Sequence, residues 1–437
     1  MLKAVNVGLL GMGTVGQGVT EILKRNAEEI SRRAGREIRV SAAVVRDLAK
    51  PRPIDLDGIS LSDNPEDVVT APDIDIVVEL MGGTDVAKQA VLAAINNGKH
   101  VVTANKALIA VHGNEIFAAA QKQGVIVSFE PAVAGGIPII KAIREGLTAN
   151  RINRVAGIIN GTGNFILTEM RDKGRSFEDA LADAQALGYA EADPTFDVEG
   201  IDAAHKLTIL ASIAFGIPLQ FDAVYTEGIS NITQQDVNYA EALGYRIKHL
   251  GVTCETADGI EIRVHPTLIP ERRLIANVNG VMNAVLVQSD AVGSTLYYGP
   301  GAGSEPTGSS VVADLVDVVR TFTTDPENRV PHLAFQPDLL SDKPVLPAES
   351  FETAYYLRLL AADKAGVMAD VTRILADNNI SIESMLQKEP GPDSTEVPII
   401  LLTHRVKELA VIKAIKSIEG LDSIKEPVMH IRVEQLE

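Results

Sequence analysis

Short apolar runs alternate with amphipathic stretches from residue 4 to about 130, the texture of a parallel sheet buried on both faces and joined by crossover helices. Strands are predicted over 4–10, 38–45, 74–80, 100–104 and 125–129, and helices over 15–33, 85–97 and 114–123. That order reads as a doubly wound α/β sheet spanning residues 1–130. From 131 to 306 the texture becomes mixed α+β: an apolar helix over 138–148, a strand over 151–160, and helices near 164–173, 176–187 and 200–215. The runs 246–255 and 260–269 meet across Asp258-Gly259 as a hairpin. A helix over 307–323 follows a Gly-rich segment and is expected to return to the first domain. Pro326, Pro331, Pro337, Pro344 and Pro347 crowd 325–350, which reads as a stiff linker. Beyond it, residues 351–437 run strand 353–361, helix 366–377, strand 380–387, strand 397–403, helix 406–418 and strand 428–434, a βαββαβ module.

Composition narrows the function classes. The 437 residues suit about three domains. Lys plus Arg number 40 against 58 Asp plus Glu, a net charge of −18 with no basic patch, so nucleic acid is not an expected partner. No uncharged apolar stretch is long enough to span a membrane, and the apolar start runs straight into glycines and a charged helix, unlike a signal peptide. One cysteine, Cys254, rules out an internal disulfide and a cysteine metal cage, which points to the cytoplasm. The eight histidines show no paired-ligand spacing.

Gly11-Met12-Gly13-Thr14-Val15-Gly16 follows a predicted strand and opens a predicted helix, the setting in which G-x-G-x-x-G marks a dinucleotide site of the Rossmann type. Gly11 permits the tight turn, Gly13 admits the pyrophosphate and Gly16 lets helix and strand pack closely, while Thr14 and Val15 begin the helix whose free N–H groups face the anion. Where an NAD-preferring site carries an acidic residue, the second strand here ends at Arg46, with Lys50 close behind. Arg46 suits a 2′-phosphate, so NADP is favoured and NAD stays open, because Asp47 is adjacent and Arg46 also reads as a solvated loop charge.

Lys106 follows the strand 100–104 at its carboxyl end, the edge where ligands bind; a solvated loop lysine is the other reading. Asp202 and Lys206 lie i,i+4 on one helical face, by default a surface ion pair. Glu191, Asp193, Asp197 and Glu199 stand just before that helix, as loop and N-cap residues or as site carboxylates. His205 points about 100° away from Lys206 and reads as packing or solvent-facing. Cys254 reads as a small mid-strand core residue.

Taken in order, Asn105-Lys106, the run Phe129 to Pro138, Asn160-Gly161-Thr162-Gly163-Asn164, the run Gly188 to Lys206, and Gly301-Ala302-Gly303 resemble homoserine dehydrogenase. Asp363-Lys364-Ala365-Gly366 and Asn378-Asn379-Ile380-Ser381 resemble an ACT module, so nearly the whole chain resembles the bacterial monofunctional form. The resemblance implies NAD(P)-dependent interconversion of L-homoserine and L-aspartate 4-semialdehyde, a step toward threonine, methionine and isoleucine. It assigns proton transfer to Lys206, substrate orientation to Asp202, the homoserine to Glu191 together with Asp197, and a second active-site lysine to Lys106. It also assigns cofactor contacts to Gly188, Gly303 and Lys106, and a sodium ion to Glu130 with the carbonyls of Val133, Gly135 and Ile137. Dimerisation through the substrate-domain sheet is implied, with a tetramer if the ACT-like tails pair, and L-threonine is the expected effector.

The assignments fit the chemistry. Aldehyde reduction leaves alkoxide character on oxygen, and a lysine both stabilises that charge and supplies the proton. A phosphorylating semialdehyde dehydrogenase would need a thiol nucleophile, for which only Cys254 is available. Another alcohol or amino-acid dehydrogenase, or a sensor without turnover, are the remaining alternatives.

Overall fold

The computed structural model describes residues 3–387 and 395–436. Six parallel strands form the first sheet: β1 (Val5–Leu10), β2 (Ile38–Val44), β3 (Ser60–Ser62), β4 (Ile76–Glu79), β5 (His100–Thr103) and β6 (Val127–Ser128), in spatial order β3-β2-β1-β4-β5-β6. Its first helices are α1 (Thr14–Arg25), α2 (Ala27–Ala34), α3 (Glu66–Val69), α4 (Asp85–Asn96) and α5 (Lys106–Gln123). Alternation along β1 divides its side chains between two cores. Val5, Val7 and Leu9 pack with Val19, Ile22 and Ile30, whereas Leu10 packs with Val91, Ile95 and Leu108 on the other face. The sheet is therefore wound on both sides, as the sequence predicts.

Two helix boundaries differ from expectation. The single helix over 15–33 is broken at Asn26, whose dihedrals (φ −108°, ψ 21°) leave the helical region, and its N–H closes the last turn on Ile22. Helix α5 starts at Lys106 and not at 114, because the Asn105 side chain caps it by accepting from the Leu108 N–H at 3.0 Å.

The middle of the chain supplies α6 (Ile139–Lys141, continuing as a π-turn over Ala142–Gly146), α7 (Gly161–Lys173), α8 (Phe177–Ala186), α9 (Thr195–Val198), α10 (Ile201–Phe215) and α11 (Gln234–Ala242). Its strands are β7 (Ile152–Ile158), β8 (Tyr225–Thr226), β9 (Tyr245–Glu255), β10 (Ile260–Pro270), β11 (Met282–Ser289) and β12 (Gly293–Pro300). β9 and β10 form the expected hairpin, while α9, β8, α11, β11 and β12 lie outside the expected elements. Next comes α12 (Ser304–Arg320), whose Val311, Leu315 and Val318 join the core of β1 and α1.

The last part holds β13 (Glu352–Ala362), α13 (Val367–Asp377), β14 (Ile382–Gln387), β15 (Glu396–Thr403), β16 (Val406–Lys407), α14 (Glu408–Glu419) and β17 (Met429–Val433). Its βαββαβ order is interrupted only by the short β16. The module does not stand apart: β17 pairs in parallel with β10 through Thr267 and Leu268, so one eleven-stranded sheet runs β12-β11-β7-β9-β10-β17-β13-β15-β14, with β8 and β16 beside it. Tyr356, Ile400 and Ile431 share a core with Ile166, Val237 and Leu268 across that seam.

The Pro-rich segment between them is laid down on the body. Arg329 donates to the Gly124 carbonyl, the Val127 N–H donates to His332 Nε2, and the Ser341 N–H donates to the Gly216 carbonyl. Among the described residues no helix is long and apolar enough to cross a membrane.

Candidate functional site

The carboxyl ends of β1, β2 and β4 open on a cavity of about 980 Å³ lined by Gly11, Gly13, Thr14, Arg46, Lys50 and Gly83, among others. Gly11 has φ +106°, and a Cβ there would come within 2.8 Å of the Leu80 carbonyl oxygen, so the turn requires glycine. A Cβ on Gly16 would come within 2.5 Å of the Gly11 carbonyl oxygen, whereas one on Gly13 meets nothing within 4 Å. Gly16 thus closes helix onto strand, and Gly13 is bare toward the cavity, a cradle suited to a pyrophosphate on the N-terminus of α1. Arg46 is exposed at the rim. Asp47 is turned into its own loop, its Oδ1 accepting from the Ala49 N–H at 2.9 Å.

Val15 lines a second cavity of about 600 Å³, together with Lys106, Asn160, Gly188, Glu191, Asp197, Asp202, Lys206 and Gly303. Residues as far apart in the chain as Val15 and Gly303 meet here. Asp202, in the first turn of α10, sits between the two lysines: Lys206 Nζ is 2.6 Å from Oδ2 and Lys106 Nζ is 3.2 Å from Oδ1. Lys206 also donates to the Ile159 carbonyl at 2.8 Å, and Asn160 Nδ2 bridges Asp202 (2.9 Å) and Asp197 (2.7 Å). The default surface pair is in fact buried, with side chains 7% and 12% exposed for Asp202 and Lys206.

Burial sets the electrostatics. It would raise the Asp202 carboxyl, but Lys206 and Lys106 outweigh it and hold Asp202 well below the ordinary range. Lys206 is pushed down, first by burial and then by Lys106, while Asp202 pulls the other way. Asp197 is raised by burial, reinforced by the charge of Asp202. The pocket therefore holds a fixed carboxylate and an ammonium that gives up its proton more readily than a free lysine.

Glu191 is exposed at the mouth, on the turn after Gly188, whose φ is +75°. Gly303, with φ +121°, opens α12, where Ser304 Oγ donates to the Thr14 carbonyl at 2.8 Å and so ties α12 to the nucleotide loop. Behind the pocket, Glu130 is 1% exposed and accepts from the N–H groups of Ile140 (2.9 Å) and Lys141 (2.8 Å). Its own N–H donates to Asp314 Oδ2 at 2.8 Å. Burial and the neighbouring Asp314 raise the Glu130 carboxyl to about 8. Val133 and Ile137 are buried beside it, and Gly135 offers a carbonyl that already accepts from Ser310 Oγ at 2.7 Å. Among the described residues no group of three or more His, Cys, Asp or Glu side chains could hold a metal.

Two expected bystanders are packing residues. His205 is stacked between Phe196 and Phe221, 4.2 Å from the latter's ring centre. Cys254 is buried near the end of β9 and not mid-strand, and burial pushes its thiol up to about 11, which disqualifies it as a nucleophile. The sequence shows Asn160 only as part of a motif; its position as the cap of α7, where its Oδ1 accepts from the Gly163 N–H at 2.7 Å, is the signal that it is structurally fixed.

Comparison with known proteins supplies an independent line. Residues 11–130 match the family model described as homoserine dehydrogenase, NAD binding domain; residues 138–316 match the homoserine dehydrogenase model, and residues 355–420 match the ACT domain model. A homoserine dehydrogenase from Pseudomonas aeruginosa is 67% identical over 436 residues, covering 100% of both chains. A crystal structure of a homoserine dehydrogenase from Thiobacillus denitrificans superposes with a TM-score of 0.94 at 66% identity, over 100% of this chain and 99% of that one. A homoserine dehydrogenase from a hyperthermophilic archaeon, solved in complex with NADPH, is similar at TM-score 0.63 and 28% identity, over 73% of this chain and 99% of that one.

Proposed function

The chain belongs to the homoserine dehydrogenase family, and from that premise we propose that Lys206 exchanges the substrate hydroxyl proton while the two cavities hold nicotinamide dinucleotide and L-homoserine end to end. The reaction is the NAD(P)-dependent interconversion of L-homoserine and L-aspartate 4-semialdehyde. The observation that carries the residue assignment is the buried Asp202 held between Lys206 and Lys106.

A bound nicotinamide accepts or supplies the hydride at the reacting carbon. In the oxidation, Lys206 as a free amine takes the hydroxyl proton; in the reduction, its ammonium returns that proton to the oxygen. Burial favours the free amine and Asp202 favours the ammonium, so the two act against each other on one nitrogen. Lys106 places a second positive charge where oxyanion character develops. Glu191 and Asp197 are left for the substrate's α-ammonium, far from the reacting carbon but fixing its orientation.

NADP is the cofactor we favour, NAD remaining usable. The bare rim arginine, Arg46, and the withdrawal of Asp47 into its loop support this, as does the NADPH of the archaeal relative. Replacing Arg46 with Ala is expected to raise KM for NADPH several-fold more than for NADH, on the order of the loss of one charge-assisted contact. Equal changes would show that Arg46 does not read the 2′-phosphate.

The loop from Glu130 fits a sodium ion held by that carboxylate and the carbonyls of Val133, Gly135 and Ile137. What supports the assignment is the chemistry of the set, a buried carboxylate beside three backbone carbonyls, which is the all-oxygen surrounding a hard monovalent ion takes. Its role would be to support the fold. We further propose the division 1–130, 131–306 with 307–323 returning to the first unit, 325–350 as connector and 351–437 as a regulatory module that takes L-threonine. A cytoplasmic homodimer or homotetramer is the assembly this reading implies.

A further inference from the structure

We propose that His249 is a positioning residue through which the seat of the C-terminal module sets the start of α10 and, with it, Asp202; this rests on the reading of Asp202 and Lys206 given above. His249, in β9, is 4% exposed, and its Nε2 donates to the Glu227 carbonyl at 3.0 Å. A carbonyl cannot donate, so Nε2 carries the proton and Nδ1 is a bare acceptor, buried without a partner.

The ring is wedged between two glycines of the substrate cavity's frame. A Cβ on Gly200, the φ +83° residue immediately before α10, would lie 3.0 Å from His249 Cε1 and 3.1 Å from Nε2. One on Gly163, in the first turn of α7, would lie 3.5 Å from Nδ1. Gly200 stands two residues before Asp202, and the Gly163 N–H donates to the same Asn160 that holds Asp202. A shift of the imidazole therefore reaches the Asp202 carboxylate from both sides.

The other end of the same contact belongs to the C-terminal module. The Glu227 carboxylate takes Arg432 Nη1 of β17 at 2.6 Å and Tyr225 OH at 2.9 Å. Arg432 is 1% exposed and also pairs with Glu408 at the start of α14. The relay is short: α14 to Arg432, Arg432 to Glu227, Glu227 to His249, His249 to Gly200. Packed cores change between discrete arrangements and do not yield gradually, so a displacement of β17 has a defined route to the catalytic helix. No step needs His249 to touch substrate.

The test is a double-mutant cycle on the full chain, read in homoserine oxidation. His249→Phe keeps ring volume and removes the donor, His249→Gln keeps a donor near the Nε2 position, and Glu227→Gln breaks the charge pair with Arg432 but leaves the carbonyl. The expected result is a fall in kcat of about tenfold for His249→Phe with KM for the cofactor within about twofold, and recovery of most of it in His249→Gln. Glu227→Gln should lower kcat about threefold in the wild-type background and not at all with His249→Phe. If His249→Phe does not fold, His249→Leu, which also lacks the donor, is paired with Glu227→Gln for the same comparison. Unchanged kcat in every folded variant, or fully additive effects, would overturn the relay. Failure of the wild type to oxidise homoserine would instead overturn the functional reading on which it rests.

Discussion

Asp202 Oδ2 lies 2.6 Å from Lys206 Nζ, one helical turn away on α10, while the same carboxylate holds Lys106 through its other oxygen. Two lysine side chains in one partly closed pocket repel when charged, and the carboxylate between them offsets that repulsion. Asp202 raises Lys206 against burial and Lys106, which both lower it. Removing that carboxylate must lower Lys206 further.

Asp202→Asn is thus expected to cut kcat for homoserine oxidation by about 10²-fold, since the amine loses its anchor. The acid limb of the kcat profile should also move to lower pH, because the free amine then survives at higher proton concentration. A pH profile of the variant checks both. An acid limb that stays in place, or rises, would mean that it reports some group other than Lys206.

The glycine loop separates a ligand requirement from a packing requirement. Gly13→Ala adds a methyl group that meets nothing within 4 Å in the protein. Its melting temperature should stay within about 2 °C of wild type, while the Kd for NADPH rises about tenfold or more as the pyrophosphate loses its approach. Gly16→Ala drives a methyl group to 2.5 Å from the Gly11 carbonyl oxygen and should lower the melting temperature whether or not cofactor is present. Fluorescence titration and thermal unfolding of the two variants give the comparison.

Two histidines cap the edge of the first sheet. Ile126 N–H donates to His100 Nδ1 at 3.0 Å and Val127 N–H to His332 Nε2 at 3.1 Å, so each ring must be unprotonated at that nitrogen. Burial lowers both to about 4, with Arg329 adding to the effect at each. A histidine lowered in the folded state binds its proton first in the unfolded chain. The stability this contributes is complete above the unfolded value of about 6.5 and is lost as pH falls toward 4. Melting temperature should decline over that window, and His332→Gln, which retains an acceptor that does not titrate, should decline less steeply. An equal slope in the variant would remove His332 from the account.

Much of this architecture is readable in the sequence because it depends on local pattern. Five of the six strands of the first sheet show as short apolar runs, β3 being the one that does not, the Gly11 to Gly16 loop sits at a strand-to-helix junction, and the β9–β10 hairpin is announced by Asp258-Gly259. The start of α5 is hidden in the sequence because Leu108, Ile109 and Ala110 form an unbroken buried run that masks the helical period. α11 carries a weak apolar period, and its legible signal is the capping box of Thr233 and Asp236. The site divides along the same line. The i,i+4 spacing of Asp202 and Lys206 is visible, but their burial is not, since it depends on Lys106 and Asn160 arriving from other elements. Least legible is the seam: Arg432 meets Glu227 across 205 positions, and no periodicity in either segment foretells that β17 extends the central sheet.

The most direct measurement is steady-state oxidation of L-homoserine, with NADP and NAD compared, by the wild type and by Lys206→Ala. The account predicts reduced nicotinamide only when homoserine is present, more efficiently with NADP, and a fall in kcat of about 10³-fold or more in a variant that still binds cofactor. A Lys206→Ala protein that turns over within about tenfold of wild type would place the proton transfer on another group and contradict the central claim.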